Sequence, residues 1–249
     1  IPKLLLLLAL PFLAVQATTA ATTKPNIIFI LTDDMGYGDV GCYGGKFVPT
    51  PNIDQLAKEG TRFTQFYVAA PVCSPSRTGF LTGNFPAHWK ITNYLQTRAG
   101  NRASEQDDFV DPKAPSIART LKANGYVTGH FGKWHMGGGR DVTNAPPFRE
   151  YGFDEHSSTY ESPEPDPIIT GTNWIWSQFD LVKRWDRTAY FVEKTLDFLK
   201  RHKGEPCYVN LWPDDVHTPW IPEGTDLTQR RYPEERSTFD PVLADYDKQ

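Results

Sequence analysis

The stretch NIIFILTDD, residues 26–34, places an unbroken apolar run directly before two aspartates. A continuous run such as this is typical of a strand that is buried on both faces of a parallel sheet. Ligands of open parallel sheets gather beyond the carboxyl ends of the strands, which is where Asp33 and Asp34 stand. Two adjacent carboxylates repel each other unless a cation lies between them, and hard oxygen ligands favour Ca²⁺ or Mg²⁺. A solvated turn with capping aspartates is the alternative interpretation.

Helical and strand patterns alternate along the rest of the chain. Helices are predicted over residues 51–60, 114–125 and 186–203, and further strands over residues 61–68, 126–132 and 207–212. The first of these helices has Asn52 as its predicted N-cap, and the third has Asp186. Strands that alternate with helices indicate an α/β fold with a mostly parallel central sheet flanked by helices. Residues 137–185 show little periodicity and are predicted to form a long loop or insertion near the site.

The first 20 residues predict export from the cytoplasm. Lys3 is followed by an apolar run over residues 4–15 and then by small residues, which is the order found in a secretory signal peptide. A membrane anchor is the alternative, but this run is interrupted by Pro11 and falls short of the roughly 20 residues that span a bilayer. We therefore expect a secreted or periplasmic protein with no stable membrane insertion after cleavage.

The net charge and the cysteine content restrict the possible partners of the protein and raise a question about one cysteine. The net charge is −4 and the basic residues are scattered, which argues against a nucleic-acid partner. Cysteines of exported proteins usually pair, and this chain has three: Cys42, Cys73 and Cys207. If Cys42 and Cys207 pair, Cys73 is left over and needs an explanation.

The cysteine in question lies in AAPVCSPSRTGFLTG, residues 69–83. Its context predicts a helix N-terminus, where backbone N–H groups favour an anion, although a buried inert cysteine is the ordinary interpretation. Two catalytic alternatives fail on spacing. A cysteine phosphatase loop requires an arginine six residues after the cysteine, where this chain has Gly79, and the Gly-x-Ser-x-Gly elbow of serine hydrolases does not occur.

The run from Cys73 to Arg77, followed by Thr78 and Gly79, resembles the Cys-x-Pro-x-Arg signature of the formylglycine-dependent (type I) sulfatases. These enzymes belong to the alkaline-phosphatase-like superfamily, whose fold the resemblance implies. Further segments resemble segments of the family and follow in the family's order: residues 24–44, 50–68, 125–137, 151–156 and 217–220.

The resemblance implies a modified nucleophile and a metal ion. In this family the cysteine is oxidised to Cα-formylglycine by a formylglycine-generating enzyme, and the hydrated aldehyde attacks the sulfur of a sulfate ester. The alcohol leaves first, and inorganic sulfate leaves when the carbonyl forms again. By position, the modified residue would be Cys73, and Asp33, Asp34 and residue 73 would bind one Ca²⁺ or Mg²⁺.

Four other side chains receive roles from the same resemblance. Arg77 would support the formylglycine hydroxyl, Lys133 and His135 would bind the sulfate, and His217 would act as a general acid near the leaving oxygen. Each of these residues also has a purely structural interpretation: a solvated surface lysine, histidines whose ring nitrogens are hydrogen-bonded within the core, and an arginine that only pairs with an acidic neighbour.

The resemblance therefore predicts a sulfuric ester hydrolase that releases sulfate from a small ester or a sulfated glycan. A phosphonate monoester or phosphodiester hydrolase of the same superfamily, or a non-catalytic protein that binds sulfated glycans, are the alternatives. Trp174, Trp176 and Trp185 could stack on sugar rings, but they could equally belong to the core.

The family pattern continues past Gln249 with a strand that ends in an Asp-Asn pair, and no Asp-Asn dipeptide occurs in this sequence. We accordingly expect residues 24–249 to be the N-terminal part of a sulfatase catalytic domain whose C-terminal part is absent. A natively short protein with half a cation site is the alternative.

Overall fold

The computed structural model describes residues 24–172, 176–229 and 231–249. Within them the strands are β1 (Ile27–Ile30), β2 (Val127–Gly132), β3 (Glu155–Ser158) and β4 (Cys207–Trp212). The α-helices are α1 (Pro51–Glu59), α2 (Cys73–Thr82), α3 (Arg98–Ala103), α4 (Ile117–Ala123), α5 (Arg187–Arg201) and α6 (Arg236–Lys248). Short 3₁₀ turns cover Tyr37–Asp39, Gly41–Tyr43, Pro86–Trp89, Phe148–Tyr151 and Arg184–Asp186. The predicted signal peptide and Trp174 lie outside the described residues.

The four strands form one parallel sheet in the order β1-β4-β2-β3. Asn210 of β4 lies between Phe29 of β1 and His130 of β2, which places β4 and β2 at the centre. The predicted α/β architecture with a parallel sheet is confirmed, as are the strands at 126–132 and 207–212 and the helices near 114–125 and 186–203.

Alternation along β4 explains why both faces of the sheet are covered. Tyr208 and Trp212 pack into one apolar cluster, and Val209 and Leu211 pack into another on the opposite face. The first cluster also contains Trp134, Phe148, Tyr151 and Phe153, and the second contains Phe131, Phe191 and Phe198. Side chains of this size contribute about 1.5–3 kcal/mol each when fully buried.

The expectation that the first strand is buried on both faces is wrong. Ile28 and Ile30 are 44% and 51% exposed, while Ile27 and Phe29 pack against the core. The face of β1 that carries these two side chains is left open, and Ile30 lines a groove with Leu56 and Val192.

Two local predictions also need correction. Residues 61–68 form no strand, and the aromatic side chains of Phe63, Phe66 and Tyr67 are exposed. Conversely, β3 lies inside residues 137–185, where only loop was predicted. This four-residue strand is too short to show a period in sequence.

Helix α1 begins at Pro51, as the predicted range has it, but its N-cap is Thr50, two residues before the predicted Asn52. The side chain of Asn52 instead donates a hydrogen bond of 3.1 Å to Asp247 of α6. This contact, between residues far apart in sequence, is invisible to a capping rule.

All three cysteines are free thiols, so the suggested pairing of Cys42 with Cys207 does not occur. Cys207 is buried at the start of β4, where its Sγ lies 3.6 Å from the carbonyl oxygen of Glu205. Cys42 lies in a 3₁₀ turn, and its backbone N–H donates a hydrogen bond to Oδ1 of Asp54. No helix in the described part of the chain has both the length and the apolar character needed to cross a bilayer.

Candidate active site

The predicted site residues lie beyond the carboxyl ends of the strands. Asp33 and Asp34 follow β1, Lys133 follows β2, and His217 lies in the segment after β4. The segments meet at one edge of the sheet because the strands are parallel. They border a cleft of about 300 Å³, whose lining includes Asp34, Cys73, Lys133, His135, Arg184 and His217.

Cys73 is the first residue of α2, as its sequence context predicts. The side chain is half-buried and unpaired, and it lines the cleft. Burial raises the pKa of its thiol, and Asp33 adds to this, while the nearby Lys133 and Arg77 oppose it. The unmodified thiol is therefore not an activated thiolate, because reactive cysteines have a lowered pKa.

A buried cluster of charges lies beside this cysteine. One oxygen of Asp33 is 2.7 Å from Nζ of Lys133, and the other is 3.1 Å from Nη2 of Arg77. Burial raises the pKa of Asp33, but Lys133 and Arg77 outweigh it, so the net shift is downward. For Lys133, burial lowers the pKa, but the effects of Asp33 and Cys73 are together larger, so the pKa of Lys133 is raised overall. With two cations against one carboxylate, the cluster favours an anion.

Arg77 lies one turn after Cys73 on α2 and is almost fully buried. Its Nη1 donates a hydrogen bond of 2.6 Å to the carbonyl oxygen of Lys133, and its guanidinium lies 5.3 Å from the ring centroid of Trp212. These contacts fix α2 to the ends of β2 and β4.

Gly132 explains how Lys133 reaches the site. Its φ is +128°, and a Cβ there would lie 1.9 Å from the carbonyl oxygen of Trp212. Only glycine allows this close approach, through which Lys133 donates its N–H to the same oxygen at 2.7 Å. The Gly-Lys pair at the end of β2 is therefore a structural requirement of the site.

His135 is a buried residue of the cleft wall, and acceptor oxygens lie near both of its ring nitrogens. Nε2 is 3.0 Å from the carbonyl oxygen of Leu95, and Nδ1 is 3.3 Å from Oε2 of Glu161. The pKa of His135 is lowered to about 4, mainly by burial, which Glu161 opposes and Lys133 reinforces. The residue lines the cleft as predicted, and its sulfate-binding role stays a prediction.

His217 and Asp34 lie on the solvent side of the same cleft. Nε2 of His217 is 3.6 Å from Oδ2 of Asp34, and Nδ1 is 2.6 Å from the carbonyl oxygen of Thr218. Arg184 holds this loop by donating to the carbonyl oxygens of Asp214 and His217, at 3.0 and 3.1 Å.

Several charged residues of the site were not predicted from sequence. Arg184 pairs with Asp215 at 2.6 Å, and the fully buried Arg187 pairs with Asp214 at 2.8 Å. The adjacent aspartates after β4 repeat the pattern after β1, which is the signal that could have pointed to them. Glu161 and Arg140 carried no such signal, because they lie in the segment without periodicity.

The predicted metal ligands do not assemble into a complete cation site. Among residues 24–172, 176–229 and 231–249, no group of three or more His, Cys, Asp or Glu side chains is arranged to hold a metal ion. Both oxygens of Asp33 contact cationic side chains, and Asp34 lies on the exposed side of the cleft. Ca²⁺ requires about six to eight oxygen ligands. The proposed ligation by Asp33, Asp34 and residue 73 stays a prediction.

A sulfatase family model matches residues 25–249. The chain belongs to the sulfatase family. This sulfatase sequence is 41% identical to an N-acetylgalactosamine-6-O-sulfatase of Bacteroides thetaiotaomicron, over 80% of the chain and 49% of that protein. It is also 41% identical to mouse steryl-sulfatase, over 54% of the chain and 22% of that protein.

Solved structures agree with this assignment. One from work on the metabolism of multiple glycosaminoglycans by Bacteroides thetaiotaomicron has a TM-score of 0.69 at 27% identity, covering 91% of this chain and 57% of that one. The resemblance stated from the motifs, and the sulfatase-type fold that it implied, are thus confirmed. This sulfatase chain spans about a fifth to a half of the length of the two curated relatives.

Proposed function

We propose that the protein is a sulfuric ester hydrolase whose reaction takes place at residue 73. The observation that carries this proposal is the position of Cys73 at the start of α2, in a cleft shared with Lys133 and next to the Asp33–Lys133–Arg77 cluster. A helix N-terminus and an excess of buried positive charge both favour a sulfate group. The family membership supports the same reaction.

Formylglycine at position 73 would supply a carbonyl hydrate as the nucleophile. The position fits this modification, because the side chain is unpaired and reaches the cleft. Maturation by a formylglycine-generating enzyme is part of the proposal. The thiol found at this position has a raised pKa and makes a poor nucleophile, so the unmodified side chain would not suffice.

The chain's own residues would bind the sulfate and move protons. The ammonium of Lys133, fixed by Asp33 at 2.7 Å, would contact the sulfate oxygens and compensate charge that develops in the transition state. Arg77 would hold the start of α2 in place through its bonds to Asp33 and to the Lys133 carbonyl. His217, on the exposed side, would donate a proton to the leaving alcohol. No step is assigned to a metal ion.

The proposed substrates are sulfated sugars. One relative that matches 80% of this chain is an N-acetylgalactosamine-6-O-sulfatase, and Tyr94 and Trp176 line the cleft, where their rings could stack on a sugar. Similarity to steryl-sulfatase makes a steroid sulfate the second substrate class to test.

Two further predictions concern the whole protein. We propose that residues 1–20 direct export, which N-terminal sequencing of the mature protein would check by finding a start near Thr18. We also propose that residues 24–249 are the N-terminal part of a larger catalytic domain, since the Bacteroides relative is about twice as long as its matched region.

The reaction class is tested with sulfate and phosphonate esters of one phenol, given to full-length protein made with a formylglycine-generating enzyme. We expect a higher kcat/KM for the sulfate ester. Mass spectrometry of the peptide containing residue 73 should show the aldehyde or its hydrate. A preference for the phosphonate would favour the related phosphonate hydrolases, and binding of sulfated glycans without turnover would favour a binding protein.

A further inference from the structure

Glu161 is a buried carboxylate that contacts two side chains of the cleft. Its Oε2 lies 3.3 Å from Nδ1 of His135, and its Oε1 accepts a hydrogen bond of 2.8 Å from Nη2 of Arg140. Its main-chain oxygen also accepts the N–H of His135 at 2.9 Å. All three residues line the cleft that contains Cys73.

Burying an ionised carboxylate costs free energy unless cationic or hydrogen-bonding partners compensate its charge. Glu161 is only 5% exposed, and an unpaired charge at that depth would be strongly destabilising. Burial raises its pKa, but His135, Lys133 and Arg140 outweigh this and lower it overall, so the group is ionised. The negative charge is thus held against the loop after β2, which carries both His135 and Arg140.

The backbone around these partners is equally constrained. His135, Gly137, Gly138, Gly139 and Arg140 all have positive φ values. A Cβ on Gly138 would lie 2.2 Å from the carbonyl carbon of Ser162, so this loop packs directly against the segment that carries Glu161. The N–H of Arg140 donates to the hydroxyl of Tyr160 at 2.6 Å, which fixes where its side chain begins.

The two partners differ in their depth. The side chain of His135 is buried, its Nε2 lies 3.0 Å from the Leu95 carbonyl oxygen, and its Nδ1 lies 3.3 Å from Oε2 of Glu161 without forming a hydrogen bond. The side chain of Arg140 is 21% exposed and lies on the solvent side of Glu161. In a cleft that binds a sulfate ester, the buried partner is suited to the sulfate end and the exposed partner to the alcohol portion.

We propose that Glu161 is a positioning residue, which fixes the ring of His135 in the cleft and directs the guanidinium of Arg140 toward the alcohol portion of the ester. This inference rests on the proposed function. It implies that Arg140 contacts hydroxyl, carboxylate or sulfate oxygens of a sugar, which a small aryl sulfate lacks.

The kinetic test uses mature full-length protein carrying Glu161→Gln, Arg140→Gln or both, with Glu164→Gln as the matched control. Glu164 lies outside the cleft beside His156. We expect Glu161→Gln to raise KM for a sulfated sugar about tenfold, the effect expected for loss of a hydrogen bond to a charged group, with kcat within about threefold. Arg140→Gln should change KM for a phenyl sulfate by less than about threefold, whereas Glu161→Gln should also raise KM for that ester, because it releases the His135 ring at the sulfate end.

The double variant decides whether Glu161 acts through Arg140. If it does, the double variant binds the sugar ester no worse than Glu161→Gln alone, because coupled residues are not additive. Effects that multiply, or an unchanged KM in Glu161→Gln, would overturn the proposal. Should Glu161→Gln fail to fold, Glu161→Asp takes its place, and an unchanged KM there counts against the proposal equally.

A second readout does not depend on turnover. In protein carrying Cys73→Ala, the ¹⁵N resonances of the His135 ring should shift in Glu161→Gln and stay unchanged in Glu164→Gln. Unshifted resonances would contradict the contact even in an active enzyme. If no ester is hydrolysed by the mature protein, the proposed reaction fails while this measurement still decides the role of Glu161 toward His135.

Discussion

At the residue scale, the site depends on buried charges that are matched by nearby partners. Asp33 contacts Lys133 and Arg77, and all three side chains are buried. Removing one member of a buried ion pair leaves its partner uncompensated, which costs more than the pair itself contributes. The same residues therefore support both the fold and the proposed chemistry.

Replacing Lys133 by Met should lower the free energy of unfolding by about 3 kcal/mol, because Asp33 then retains only Arg77. Urea denaturation at pH 7 measures this loss. The control is Lys122→Met, which removes an exposed ion pair with Asp154 and should cost less than about 1 kcal/mol. Equal losses in the two variants would show that the buried cluster does not stabilise the fold.

His130 provides a test of how burial governs acid stability. It is fully buried among Trp134, Phe148, Phe153 and Trp212, and burial, reinforced by Arg77, holds its pKa well below 6.5. As the pH falls below about 6.5, the unfolded chain takes up a proton that the folded chain does not, so stability decreases toward acid.

We expect His130→Phe to weaken this dependence, since the new ring cannot titrate. Unfolding free energies between pH 7.5 and 5 are compared for the wild type, for this variant and for His88→Gln, which changes an exposed histidine. A pH dependence that is as steep in His130→Phe as in the wild type would refute the assignment.

At the element scale, regular patterns were predictable and sheet environment was not. Helix α5 and strands β2 and β4 follow from their periodicity and apolar runs, because the pattern itself reflects the packed face. Residues 61–68 alternate like a strand yet pair with nothing in the described sheet, and β1 is an edge strand despite its continuous apolar run. Strand partners come from distant parts of the chain, which no local pattern contains.

Two phenylalanines, one in helix α5 and one in residues 61–68, allow this difference in packing to be tested. Phe198 of α5 is fully buried against β2, and Phe66 is 69% exposed. Phe198→Ala should reduce the free energy of unfolding by about 3–5 kcal/mol, and Phe66→Ala by less than about 0.5 kcal/mol. Chemical denaturation of both variants checks this, and a comparable loss at Phe66 would mean that residues 61–68 pack in the native protein.

At the scale of the whole molecule, the motifs predicted the family and the parallel sheet arranged the site. Asp33, Cys73, Arg77 and Lys133 come from three separate segments, and they meet because parallel strands end at the same edge. Glu161, Arg140 and Arg184 could not be predicted, since their importance lies in contacts made only after folding.

The folded structure also shows why the predicted metal site is incomplete among the described residues. Asp33 is satisfied by cations of its own chain, and the described residues supply too few oxygen ligands for Ca²⁺ or Mg²⁺. The proposed activity therefore depends on residue 73 and the side chains around it.

The most direct test of the central claim is the release of inorganic sulfate from a sulfated N-acetylgalactosamine by mature full-length protein, compared with its Cys73→Ala variant. We predict steady release by the former and none by the latter, with equal thermal stability of both proteins. Sulfate release that persists in Cys73→Ala, or its absence from protein in which residue 73 is fully modified, would contradict the account.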